Sequence, residues 1–158
     1  MRIAINTLLC MSLLAGMCAT TSYAADVLPY NEQADAHADI QRAIAQAKSS
    51  HKKVLLVFGA NWCPDCRALS AQMAEGSLAR QVKKRYVLVK VNVGNWDRNM
   101  DIASEYGNPP KKGIPAVAVL DSQGRLLNAT MAGELSAARS MNNDSVLKVF
   151  EKIDKPKS

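Results

Sequence analysis

The run Val54-Leu55-Leu56-Val57-Phe58-Gly59, followed almost at once by Asn61-Trp62-Cys63-Pro64-Asp65-Cys66-Arg67, most narrows the folds open to this chain. A short, continuous apolar run suits a strand covered on both faces. The stretch after it, residues 67–74, is compatible with a helix. Two thiols therefore stand one helical turn apart where a buried strand ends and a helix begins. At a helix start, unpaired N–H groups and the positive end of the dipole favour a thiolate, so Cys63 is expected to ionise more readily than a free cysteine. Cys66 can then attack any mixed disulfide that Cys63 forms with a partner. The same spacing also serves as half of a zinc site or as a structural disulfide; the flanking strand and helix favour redox use.

The first two dozen residues have the pattern of an export leader. Arg2 supplies a positive start, residues 3–19 are apolar, and Ser22-Tyr23-Ala24 presents small residues where a signal peptidase reads, so cleavage is expected after Ala24. Asn6, Thr7 and Ser12 interrupt the apolar stretch, which argues against a membrane anchor. Bulky Met17 before Cys18 argues against a lipid attachment site there. Cys10 and Cys18 leave with the leader, and Cys63 and Cys66 remain. In an oxidising compartment such a pair can close a disulfide, but its loop is too short to stabilise the fold much by chain entropy. Working chemistry explains the pair better. Zinc is a poor alternative, because the two histidines, His37 and His51, lie at no ligand-like spacing and are read as solvent-facing.

The 158 residues, less the leader, suffice for one hydrophobic core, and no internal repeat is visible. The formal charge of +6 is spread over Lys52-Lys53, Lys83-Lys84-Arg85 and Lys111-Lys112, each beside the end of an element. With 5% aromatic residues and no basic helix face, nucleic-acid binding is not expected.

Periodicity orders the rest. A helix is predicted over residues 35–47 from Ala36, Ile40, Ala43, Ile44 and Ala47, and a strand over 54–58. Ser77 is expected to cap a helix over 78–84, and residues 86–93, rich in β-branched side chains, to form a strand. Residues 97–106 read as a helix closed by Gly107, with Asp97 as its cap. Residues 115–120 and 126–131 flank Asp121-Ser122-Gln123-Gly124 as an antiparallel hairpin. Asn143 is expected to cap a last helix over 144–153, whose stripe is Val146, Leu147, Val149, Phe150 and Ile153. The order gives an α/β core with a mixed sheet.

These residues resemble the thioredoxin family over about 35–154. The resemblance rests on Trp62-Cys63-Pro64-Asp65-Cys66, then Val89-Lys90-Val91-Asn92, then Tyr106-Gly107 leading to Gly113-Ile114-Pro115, and Gly133 after the hairpin, in the family's order and near its spacing. Within the family the chain looks most like small exported bacterial thioredoxin-like proteins, and its Cys-Pro-Asp-Cys centre is similar to that of thioredoxin-related reductases. The resemblance implies a thioredoxin fold in one domain, residues 35–155, after an N-terminal extension of residues 25–34. Its central mixed sheet would have four or five strands, with helices on both faces.

The resemblance also implies roles. Cys63 matches the attacking cysteine and Cys66 the resolving one, flanked by Trp62, Pro64 and Asp65. Ile114-Pro115 matches the cis-proline loop, where the Ile114 backbone would bind an extended substrate segment; an ordinary strand-entry proline is the plainer reading. The family's buried acidic residue six positions before the attacking cysteine is Val57 here. Lys90 matches the family's partner lysine, or it is a strand residue carrying its ammonium out to water. Proton handling at Cys66 then falls to Asp65 or to water. Asp65 between the thiols would disfavour the Cys63 thiolate and make the dithiol more reducing, or it merely complements the helix start. Trp96, in the loop Gly94-Asn95-Trp96-Asp97-Arg98-Asn99, either walls a substrate groove beside Trp62 or packs inside its own loop. Asn108-Pro109-Pro110-Lys111-Lys112 reads as a stiff basic rim or a plain surface turn.

The expected function is a periplasmic thiol-disulfide oxidoreductase, monomeric and without a cofactor or metal. It would reduce protein disulfides and draw electrons from a membrane-bound dithiol donor. An oxidase or isomerase using the same residues, or a non-enzymatic module binding Cu(I) through two thiolates, is the alternative. Asn128-Ala129-Thr130 fits a glycosylation sequon that matters only on a eukaryotic secretory route.

Overall fold

In the computed structural model, which describes residues 28–129 and 134–155, the apolar run forms strand β1, Lys53–Gly59. Val54, Leu55, Leu56, Val57 and Phe58 are each 0% exposed, as a strand covered on both faces requires. The sheet has four strands among the described residues, in the order β2-β1-β3-β4. β2, Tyr86–Asn92, runs parallel to β1; β3, Ala116–Leu120, runs antiparallel to β1; and β4, Leu126–Ala129, runs antiparallel to β3. The expected leader with its cleavage point after Ala24, Thr130 of the sequon, the end of the hairpin strand at residues 130 and 131, and Gly133 all lie outside the described residues.

Alternation along β1 divides the core in two. Val54, Leu56 and Phe58 face a cluster with Ile40, Ala43 and Ala47 of helix α1, Ala36–Ser50, and with Ile102 and Ala103 of α4, Met100–Glu105. Leu55 and Val57 face the other cluster, with Leu69 and Met73 of α2, Pro64–Ala74, Leu78 and Val82 of α3, Gly76–Arg85, and Val146, Phe150 and Ile153 of α5, Asn143–Ile153. Each fully buried Val, Leu, Ile, Phe or Met side chain contributes about 1.5–3 kcal/mol relative to exposure. The mixed sheet with helices on both faces agrees with the architecture that the resemblance implies.

Several element ends differ from the sequence reading. Asp35 caps α1 by accepting from the Ala38 N–H at 3.0 Å, but the helix runs past residue 47 to Ser50 and stops where His51 turns left-handed at φ 53°. Ser77 does not cap α3: only Glu75 separates α2 from α3, so Ser77 already lies in the first turn. Helix α4 starts at Met100 rather than residue 97, because Gly94, Trp96 and Asn99 all have positive φ and break the preceding chain into turns. Asp97 is therefore no helix cap; its Oδ1 accepts from the Asn95 N–H at 2.9 Å inside that turn. Residues Pro109–Lys112 form a 3-10 turn. Asn142, not Asn143, caps α5, accepting from the Ser145 N–H at 2.9 Å.

Candidate active site

Cys63 occupies the N-cap of α2, with its sulfur accepting from the Cys66 N–H at 3.1 Å. This is the hydrogen bond that a helix start offers an anion, and it falls on the sulfur expected to carry charge. Pro64 takes the first helical position, where its missing N–H leaves no bond unmade. Cys63 and Cys66 are joined as a disulfide, with Cα atoms 5.2 Å apart. Cys63 keeps 4% of its surface exposed and Cys66 none, so an incoming group meets Cys63 first.

The Ile114-Pro115 peptide bond is cis, and the Ile114 carbonyl oxygen lies 3.7 Å from the Cys63 sulfur. The loop leading into β3 thus packs on the cysteine pair although it lies 51 residues away in sequence. Because β1 and β2 run parallel, the loops that follow them open on the same edge of the sheet. They are tied there by Trp62, whose Nε1 donates to the Gly94 carbonyl at 2.8 Å. Trp62 and Trp96 meet edge-on with centroids 6.4 Å apart, and stay 51% and 44% exposed. Packing inside its own loop, the plainer expectation for Trp96, does not occur.

Asp65 lies in the first turn of α2, the position from which a carboxylate complements a helix start. The residue is 9% exposed, and its carboxylate turns to Arg139, accepting from the backbone N–H at 3.0 Å and from Nε at 3.2 Å. The charge is thus matched by a guanidinium, and α2 is tied to the 3-10 turn Ala138–Ser140. Lys90 stands opposite Val57 in the strand register, as the resemblance aligns them. Its ammonium does not run free to water; Nζ donates to Ser70 Oγ of α2 at 2.5 Å, and partial burial lowers its pKa. Among the described residues no group of three or more His, Cys, Asp or Glu is placed to hold a metal.

Four contributors were not read from the sequence: Arg139, Ser70, Asn61 and Tyr30. Asn61 had a signal, since it adjoins Trp62-Cys63. Its side chain clamps the Tyr30 backbone from both sides, accepting from the Tyr30 N–H at 2.9 Å and donating to the Tyr30 carbonyl at 2.8 Å. Tyr30, in the stretch read as an extension, is 1% exposed and belongs to the cluster that contains both cysteines. Nothing local to Arg139 or Ser70 marks a partner 74 or 20 residues away.

The chain is similar to known proteins. A solved structure named disulphide isomerase from Xylella fastidiosa Temecula1 is 44% identical in sequence, with a TM-score of 0.78, covering 83% of this chain and all of that one. The oxidised C-terminal domain of DsbD from Neisseria meningitidis, 20% identical with a TM-score of 0.55 over 76% of this chain and 97% of that one, shares the fold. Among curated proteins, tryparedoxin of Trypanosoma brucei brucei is 35% identical over 65 residues, 40% of this chain and 43% of that protein. Thioredoxin of Griffithsia pacifica is 37% identical over 71 residues, 45% of this chain and 58% of that protein. The chain therefore spans about half the length of these two curated relatives. The family model described as thioredoxin-like matches residues 35–122, from the cap of α1 to the hairpin turn, and the chain belongs to that family.

Proposed function

We propose that the chain is an exported thiol-disulfide oxidoreductase that reduces protein disulfides. The observation that carries this reading is the sulfur of Cys63, held at the start of α2 by the Cys66 N–H and set against the Ile114-Pro115 loop. In the reduced protein the Cys63 thiolate attacks one sulfur of a substrate disulfide, and the other substrate sulfur leaves and takes up a proton. Cys66 then loses its proton and attacks Cys63. The bond between Cys63 and the substrate breaks, the second substrate sulfur leaves as a thiol, and the Cys63–Cys66 disulfide remains. An extended substrate segment would lie along Ile114, with Trp62 and Trp96 walling one side. The electrons then come from an external dithiol, for which a membrane-bound donor on the same side is the proposed source.

Reduction is favoured over oxidation because no cation stands between the cysteines to hold the thiolate: Pro64 is neutral and Asp65 is already paired with Arg139. A second reading, isomerisation, is favoured by the name of the 44% identical structure. Insulin reduction by the pure protein and by Cys63→Ser and Cys66→Ser is the test. Turnover should vanish in both, with a mixed disulfide trapped only when Cys66 is replaced. Equilibration against glutathione should give a potential below about −170 mV; a higher value overturns the reductase reading in favour of isomerase or oxidase.

A further inference from the structure

Tyr30 is the buried polar group that the exchange steps leave unused. Its phenol oxygen has no hydrogen-bond partner among the described residues although the side chain is 1% exposed. Burying an unpaired hydroxyl is unfavourable, so a buried one calls for an account. The ring is not there by accident of a loose terminus, because Asn61 holds its backbone by two hydrogen bonds.

The hydroxyl and the Cys66 sulfur border the same space. A methyl group placed on Gly59 would stand 2.2 Å from Tyr30 Oη and 3.1 Å from Cys66 Sγ, so phenol and sulfur share the hollow over the Gly59 Cα. Tyr30 enters with the cluster of Phe58, Cys63 and Cys66, on the face of the sheet opposite to Val57, the position at which the carboxylate is missing. In the disulfide the Cys66 sulfur is bonded to Cys63 and carries no charge. Reduction frees it.

We propose that the Tyr30 hydroxyl donates a hydrogen bond to the Cys66 sulfur once the disulfide opens, steadying the resolving thiolate by a route that needs no buried carboxylate. The inference rests on thiol-disulfide exchange at this pair. Cys66 gives its proton to solvent, its sulfur attacks Cys63 of the mixed disulfide, the bond from Cys63 to the substrate breaks, and the departing substrate sulfur is protonated. Tyr30 keeps its own proton throughout, as its burial favours. The other titratable groups nearby are engaged elsewhere. Glu32 accepts from Asn61 Nδ2 at 2.9 Å, and Arg98 donates to the Glu32 carbonyl at 3.2 Å. Lys90 is on Ser70 across the sheet, Asp65 is on Arg139, and His37 pairs with Asp101 at the surface. Tyr106, in the same cluster, has its phenol pushed up to about 12 by burial and Glu105.

The test is a carbon-13 titration of both cysteines in the reduced protein and in Tyr30→Phe, which removes only the hydroxyl. The Cys66 pKa should rise by about one pH unit in the variant, more than that of Cys63, and the mixed disulfide at pH 7 should resolve about tenfold more slowly. The two rates should converge at high pH. A Cys66 titration identical in the two proteins overturns the proposal. Wild-type protein supplies a reading free of folding effects: the Tyr30 ring carbon bearing the hydroxyl should shift on reduction, and an unchanged signal overturns the proposal equally. Neither titration needs a substrate. Failure to turn over insulin would therefore sink the oxidoreductase reading alone, and an unaltered titration with turnover intact would sink the Tyr30 role alone.

Discussion

Gly59 has no room for a side chain. An added Cβ would lie 2.4 Å from the Tyr30 ring carbon bearing the hydroxyl and 3.1 Å from the Cys66 sulfur, and neither neighbour is exposed enough to swing away. Gly59→Ala should destabilise the oxidised protein by about 1–3 kcal/mol, read as a lower urea midpoint. Combining it with Tyr30→Leu should cost less than the sum of the two, because the smaller side chain vacates the contested space. The glycine itself is visible in the sequence, but its reason is not, since Tyr30 lies 29 positions away. Asp65 teaches the same lesson. Its place between the cysteines suggested an effect on the sulfurs, and a guanidinium brought in by a distant turn redirects its charge.

At the level of elements, the site is made by two loops at the ends of parallel strands and by the turn that precedes β3. The loop after β2 carries a tryptophan at φ 69°, a conformation that costs a non-glycine residue about 1–3 kcal/mol. Trp96 nonetheless leaves 44% of its surface in solvent against Trp62. Under the proposed function, this placement lets Trp96 wall the substrate groove beside Trp62. Trp96→Ala should lower kcat/KM for a protein disulfide about fivefold, leave reaction with a small disulfide reagent nearly unchanged, and shift the unfolding midpoint little. Equal slowing with both substrates would mean that the ring supports the loop instead. The strands and helices themselves were legible because burial imposes periods of 2 and 3.6 on the sequence. Caps were less so: Asn142 and Asn143 carry the same side chain, and only the path of the chain into α5 selects the first.

For the molecule as a whole, Lys90 couples stability to pH. Burial lowers its folded pKa, so below that value the native state carries a penalty for a partly desolvated ammonium. Between the folded value and the unfolded one, near about 10.4, the unfolded chain binds more protons and stability rises with pH; above it the penalty is gone. Lys90→Met should remove this rise. Urea titrations at pH 7 and pH 10.5 should show wild type gaining on the variant by less than about 1 kcal/mol, because the side chain stays partly exposed. A constant difference between the two proteins would show that the ammonium is fully hydrated.

Periodicity and spacing along the chain determined the α/β class, the central strand and the paired thiols at its end, since each is a local pattern that backbone geometry and burial impose; the proline loop came from the family resemblance alone. Tertiary structure alone decided which groups surround those thiols. Tyr30 over Gly59, Arg139 on Asp65, Ser70 on Lys90 and Trp96 against Trp62 join residues far apart in sequence. Electrostatics and hydrogen bonding act through space over a few ångströms, and chain order carries no record of which distant side chains the packed sheet brings within that reach.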